Sequence, residues 1–296
     1  MYGLVLAGGG AKGAYQIGAM KALEEMGLLN KISGVSGTSI GGVNLALFSS
    51  GSIENSEKLW KSFKAVDFLM PDDTGFDLRK EGDGFFSREA LLKILDESVD
   101  YDEITNGAIP YYVTVCYKNE NGNISHEYVK LNGMSRDEIR TSLMATTAIP
   151  LVYDAVEFRG KKCFDGGLKD NTPIKPLADE GIDDIIVISN DCNYRTSADK
   201  WPGKNIWDIV PSASLDMNTI TGTADLDPKH ELVRLRLGYL DAKVIIGAHM
   251  NNLSIPDLTG NITVAMQELK LAKMQERASS NMNKISNLLG KYGVEL

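Results

Sequence analysis

Ser39 stands in the pentad Gly37-Thr38-Ser39-Ile40-Gly41, which has the spacing G-x-S-x-G. A serine placed between a strand and a helix must sit on a very sharp turn to lift its hydroxyl above the sheet edge. Side chains two residues to either side would crowd that turn, so glycine suits both positions. The serine also falls at a helix N-terminus, where developing negative charge is favoured. The pentad alone fits a small-residue turn or a helix cap equally well. The apolar residues before it and the helical run after it favour a nucleophile, and Gly42 is a further small neighbour that lets the helix approach another backbone.

A second glycine cluster, Gly8-Gly9-Gly10-Ala11-Lys12-Gly13, has the spacing G-x-G-x-x-G. Dinucleotide binding would require a following strand ending in an acid about 20 residues on. Here that strand ends at Ser36 and the GTSIG turn, without an acid. A phosphate loop would need Lys-Ser or Lys-Thr after Gly13, where Ala14-Tyr15 stand. An oxyanion hole is the better reading. Adjacent glycines leave backbone N–H groups unshielded, and one such donor contributes about 3–4 kcal/mol to an acyl-transfer transition state. The remaining reading is a tight strand–helix corner with no chemistry. Lys12 either faces solvent or fixes the loop by hydrogen bonds.

A serine hydroxyl needs a base. The three histidines are His126 in a β-rich run, His230 after Asp-Pro-Lys, and His249 at the end of VIIGAH. The order serine, acid, histidine leaves His230 or His249 as candidates, though each reads more simply as a structural or surface group. Asp165, in KKCFDGGLKDNTP, is the stronger candidate. A short strand leads into it, and Gly166-Gly167 make a turn that thrusts the carboxylate toward a cleft. DGG alone is as easily a β-turn; beside the two glycine motifs it becomes half of a Ser–Asp dyad, in which Asp165 takes the Ser39 proton and then activates water.

These residues need a scaffold. Gly3 to Ala7 read as a buried strand, Ala11 to Met26 as a helix with Ala14, Ile17, Met20 and Leu23 on one face, Ile32 to Ser36 as a second strand, and Ile40 to Ser50 as a helix. Strand, glycine loop, helix, strand, tight turn, helix is the start of a parallel sheet with covering helices. Both motifs then lie at the carboxyl edge, where such sheets carry their sites. Residues 52–105 are less regular; Trp60, Phe63, Val66, Phe68, Leu69 and Met70 are either helix core or part of a lid or acyl channel. Ser87 can cap a helix to about Glu97. Pro110 to Tyr117 and Ile124 to Leu131 form a hairpin about Asn-Gly. Ser135 with Glu138 makes a capping box for a helix to about Ala145, and Ile185 to Ser189 read as another buried strand. Tyr194 to Asp227 are rich in turn formers and yield no assignment. Thr263 to Arg277, within 260–290, form an amphipathic helix that packs on this domain or meets a subunit or membrane. No repeat or linker divides the chain, so 1–296 reads as one catalytic domain.

Composition bounds the partners. The 296 residues carry a net charge of −9, with 43% hydrophobic residues. That supports a packed core and opposes nucleic-acid binding; a membrane would be met only transiently, through a local patch. Cys116, Cys163 and Cys192 are scattered and odd in number, which fits buried thiols in a reducing compartment. With no signal-like N-terminus and no run of about 18 apolar residues, a soluble, cytoplasmic protein is expected, possible contact with a membrane periphery included.

Four ordered segments, GGGAKGAYQIG at 8–18, SGTSIGG at 36–42, MATTAIP at 144–150 and DGGLKDNTP at 165–173, closely resemble the patatin-like phospholipase family. The likeness covers about residues 3–190, and GYLDA at 238–242 is similar to a segment near the end of many small bacterial members, the type this chain resembles. The resemblance implies a patatin fold: a three-layer α/β/α arrangement with a mostly parallel central sheet, related to α/β-hydrolases. It implies an oxyanion loop at Gly8, Gly9 and Gly10, a nucleophile at Ser39 and an acid–base at Asp165. Lys12, Gly13, Gly37, Gly41, Gly166 and Gly167 support these motifs. No catalytic histidine, cofactor or metal is implied. The expected substrate is a phospholipid, lysophospholipid or neutral acyl-ester lipid. A thioesterase or acyltransferase on the same dyad, a non-catalytic lipid-binding protein and a serine peptidase are the alternatives. Lys12 stands where many members have arginine, and Thr147 where serine is common; neither removes a catalytic group.

Overall fold

The computed structural model describes residues 1–62, 89–150, 152–216, 225, 227–250 and 274. In chain order the elements are β1 (Tyr2–Leu6), a 3-10 turn (Gly10–Gly13), α1 (Ala14–Glu25), β2 (Ile32–Thr38), α2 (Ile40–Ser49) and α3 (Ile53–Ser62). Then come α4 (Glu89–Ser98), α5 (Tyr101–Asn106), β3 (Tyr111–Lys118), β4 (Ile124–Lys130), α6 (Arg136–Thr146), β5 (Val156–Phe158) and β6 (Lys161–Asp165). The last are α7 (Lys175–Asp179), β7 (Asp184–Ile188), β8 (Asn205–Ile209) and α8 (Pro228–His249).

The central sheet runs β5-β6-β3-β2-β1-β7-β8, with β4 on the outer edge of β3. Pairings β3-β2, β2-β1, β1-β7 and β7-β8 are parallel; β4, β5 and β6 join antiparallel. Successive side chains of β1 and β7 enter opposite layers. Leu4, Leu6, Ile186 and Ile188 join the large core with α1, α2, α6 and α8, whereas Val5, Ile185 and Val187 join a smaller cluster with Ile174 and Leu177 of the α7 region. A strand apolar on both faces is what a sheet covered on both sides requires, and the result is a three-layer α/β/α fold. In the thicker layer α1 crosses α8 at close range. A Cβ at Gly18 would strike the Leu235 carbonyl, and one at Gly238 the Tyr15 carbonyl.

One feature of the register places the site. β3 has two neighbours along the same edge. Its first half pairs with β2, from Val35↔Tyr111 to Thr38↔Thr114, and its second half pairs with β6, from Val115↔Asp165 to Tyr117↔Cys163. β2 and β6 therefore meet end to end.

The expected capping box forms: Ser135 N–H donates to Glu138 Oε2 at 2.9 Å. The predicted 110–117 and 124–131 hairpin is β3-β4. Trp60 is buried in the core. The other apolar residues read as helix core or as part of a lid or acyl channel, Ser87 and its cap, and the amphipathic segment 263–277 apart from Met274 lie outside the described residues. The unassigned 194–227 stretch contains β8, and the chain directly after it forms α8, 22 residues long. Among the described residues, no helix is long and apolar enough to cross a membrane.

Candidate active site

β2 ends at Thr38 and α2 begins at Ile40, so Ser39 alone makes the turn, with φ 56° and ψ −125°. A non-glycine residue at positive φ is strained and persists only where its surroundings enforce it. Here they do. A Cβ at Gly41 would strike the Leu6 carbonyl, and one at Gly37 the backbone of Gly41, so both glycines are needed for the helix to start this close to the sheet. The Ser39 N–H donates to Thr146 Oγ1 at 3.0 Å, and the Thr146 hydroxyl donates onward to the Thr114 carbonyl at 2.6 Å. α6 thereby holds the elbow from beneath.

Asp165 arrives from the opposite direction as the last residue of β6. Its partner on β3 is Val115, one residue beyond the Thr114 that faces Thr38. One residue along a strand is about 3.3 Å, so the sheet itself brings Ser39 and Asp165 together. Both are only 6% exposed. Burial raises the Asp165 pKa to about 6, against the opposing pull of the Ser39 hydroxyl and the Gly167 N–H. Oδ1 accepts the Gly167 N–H at 2.7 Å, whereas Oδ2 is buried without a completed hydrogen bond. Gly166 is pressed on Thr114, whose carbonyl a Cβ would strike. Asp165 N–H donates to the Ala148 carbonyl at 2.9 Å, so the 144–150 motif touches both Ser39 and Asp165. Thr147 turns away, its hydroxyl bonded to the Leu143 carbonyl at 2.9 Å.

The glycine loop can be followed peptide by peptide. The Ala7 carbonyl accepts from Gln16 Nε2 at 2.7 Å and Asn190 Nδ2 at 3.1 Å, and the Gly8 N–H donates to the Asn171 carbonyl at 3.1 Å. The Gly8 carbonyl accepts from Asn171 Nδ2 and Asn190 Nδ2, each at 3.3 Å. The Gly9 carbonyl accepts the Lys12 N–H at 3.3 Å. The N–H groups of Gly9 and Gly10 have no acceptor among the described residues. The donor set expected at Gly8, Gly9 and Gly10 therefore narrows: the Gly8 amide is already engaged. Gly8 instead is wedged between Asn171 and the serine: a Cβ there would strike Asn171 Oδ1 and stand 3.2 Å from Ser39 Cβ. Gly13 packs on Ile40 and Trp60. Lys12 reaches out of the loop to Asp216 Oδ1 at 2.8 Å. Behind the loop a buried chain runs from Trp60 Nε1 to Asn44 Oδ1 at 3.0 Å, and from Asn44 Nδ2 to Gln16 Oε1 at 2.8 Å and the Gly13 carbonyl at 3.0 Å.

The histidines have other surroundings. His126 sits on β4 edge-on to Tyr128, His249 stacks on Trp207, and His230 is buried with its Nδ1 2.8 Å from Asp225 Oδ2. All three cysteines are unpaired, Cys116 and Cys163 buried and Cys192 half-buried. Thr146, Gln16, Asn44, Asn171 and Asn190 were not singled out by sequence reasoning. Gln16, Thr146 and Asn171 do lie inside three of the quoted motifs; Asn190 carries no signal beyond its place at the carboxyl end of a strand.

Residues 4–178 match the family described as patatin-like phospholipase. The chain belongs to that family. Lysophospholipase NTE1 of Cryptococcus neoformans is 28% identical over 190 residues, 63% of this chain and 11% of its own length. Neuropathy target esterase sws of Drosophila melanogaster is 27% identical over 190 residues, 63% of this chain and 12% of its own length. The patatin-like chain thus spans about a tenth of the length of these relatives. Among solved structures, VipD from Legionella pneumophila superposes with a TM-score of 0.51 at 14% identity, covering 96% of this chain and 77% of that one, a likeness of fold.

Proposed function

We propose that this patatin-like protein hydrolyses a carboxylic ester of a lipid through a Ser39–Asp165 dyad. The observation that carries the proposal is the meeting of two buried groups at the abutting ends of β2 and β6: a serine on a strained elbow, and a carboxylate whose pKa burial raises to about 6. An acceptor poised near neutrality is suited to take a proton in the transition state and return it. Ser39 Oγ attacks the ester carbonyl while its proton passes to Asp165. The oxyanion so formed is held by the N–H groups of Gly9 and Gly10. On collapse the ester C–O bond breaks, and the leaving alkoxide takes the proton from Asp165. Water then gives its proton to Asp165 and attacks the acyl-serine, and the returned proton restores Ser39 as the fatty acid departs. No histidine takes part.

The fold family and the lysophospholipase among its relatives support a lysophospholipid or phospholipid as the first substrate to try, met at a lipid surface. The test is incubation with defined phospholipids, lysophospholipids, triacylglycerols and acyl thioesters, with products identified by mass spectrometry. Free fatty acid should appear with the native protein and vanish with Ser39→Ala and with Asp165→Asn. Full turnover by both variants would end the dyad reading.

A further inference from the structure

Asn190 follows β7 at the carboxyl edge of the sheet and is 5% exposed. Its Nδ2 reaches two successive carbonyls of the glycine loop, Ala7 at 3.1 Å and Gly8 at 3.3 Å. Its Oδ1 is buried without a hydrogen-bond partner. A buried amide left half-satisfied carries a penalty that a leucine of similar size would avoid, so the donor end is what the position requires. The side chain also lies flat against Gly9, whose absent Cβ would be 2.8 Å from Asn190 Cβ.

The consequence follows from the planarity of the peptide. In a trans peptide the carbonyl of one residue and the N–H of the next point in opposite directions, and no cis peptide occurs among the described residues. Turning the Gly8 carbonyl toward Asn190 and Asn171 turns the Gly9 N–H away from both. The preceding peptide is fixed as well, its carbonyl on Gln16 and Asn190 and its N–H on Asn171. The Gly9 N–H therefore has little freedom to swing.

We infer that Asn190 is a positioning residue of the acyl-transfer site, which aims the Gly9 N–H at the developing oxyanion by pinning the Gly8 carbonyl. The inference rests on the Ser39 hydrolase reading. It assigns a task to a residue outside the 4–178 span that matches the family.

Two variants test it: Asn190→Leu, which removes the donor at similar volume, and the isosteric Asn190→Asp, which carries the test if the leucine variant does not fold. With a short-chain p-nitrophenyl ester, kcat should fall about 10- to 100-fold, less than the loss of a whole oxyanion donor, with KM within about twofold. Binding of an alkyl trifluoromethyl ketone, which forms an anionic hemiketal on the serine, should weaken by the same factor, while binding of the unreactive alkyl alcohol stays unchanged. A folded variant with native kcat and native ketone affinity overturns the inference. Amide hydrogen exchange over residues 8–13 needs no activity and separates the two ideas. If the native protein hydrolyses no ester, the hydrolase reading fails by itself. Exchange about tenfold faster in the Asn190 variants still supports the pin, and unchanged exchange refutes it.

Discussion

Replacing Asp165 with asparagine should abolish turnover and stabilise the fold, in amounts that depend on pH. The folded carboxyl titrates near 6 rather than at 3.8, because burial disfavours its charged form. A shift of about two units corresponds to ~3 kcal/mol at 1.36 kcal/mol per unit. Between pH 4 and 6 the folded state holds a proton that the unfolded chain has released. Stability supplied by the protonated group is thus complete below pH 4, is lost as pH rises through 6, and does not change above that. Asparagine does not titrate and retains an oxygen for the Gly167 N–H, which Asp165 now accepts at 2.7 Å. The variant's stability relative to the native protein should therefore grow by up to ~3 kcal/mol from pH 4 to pH 7. Urea unfolding of both proteins at half-unit pH steps measures the difference, and titrations elsewhere in the chain cancel in it. A difference that stays flat across this window would refute the desolvated carboxylate, and native turnover by the variant would refute its part in the chemistry.

On the proposed mechanism the same carboxylate should set the acid limb of the rate. kcat/KM for a neutral ester should rise with pH through about 6 and then level, since the base acts only when ionised; a rate unchanged from pH 4.5 to 7.5 would contradict this. Thr146→Val strips the Ser39 N–H of its acceptor and should cost about 1–3 kcal/mol of stability together with much of kcat, whereas Thr146→Ser should retain most of both, as denaturation and ester kinetics would show. Asp216→Ala breaks the pair with Lys12, whose side chains are 46% and 18% exposed. It should cost no more than about 1 kcal/mol, a loss that shrinks further in 1 M salt; a much larger effect in melting experiments would mean that the pair carries more of the glycine loop than its exposure suggests.

The parts of the fold legible in the sequence are those with local causes. The first strand, glycine loop, helix and second strand announce themselves by apolar runs and breaks, the capping box by two residues three apart, and the β3-β4 hairpin by Asn-Gly. α8 was hidden because its interior face carries Glu231, Arg234 and Asp241 among the leucines, so no clean apolar stripe recurs at the helical period. β8 is five residues long and set among turn formers. At the site, residue type pointed to Ser39, Asp165 and the glycine run, because the required chemistry narrows the choice. It did not indicate that the Gly8 amide is engaged by Asn171, or that Asn190 reaches the loop from 182 positions away. Such contacts depend on which strand lies beside which, and nothing in an isolated asparagine encodes that.

The abutment of β2 and β6 along one edge of β3 has a bearing on how the gene can vary. Spacing between Ser39 and Asp165 is kept by backbone pairing, not by the loops between β2 and β6, so extra residues at the Arg159–Gly160 turn should leave it untouched. Deleting one residue from 161–164 is another matter. Alternate side chains of a strand face opposite sides, so a single-step slip would carry Asp165 to the far face of the sheet. Insertions and deletions accumulating in this family should accordingly crowd the turn and spare the four residues after it.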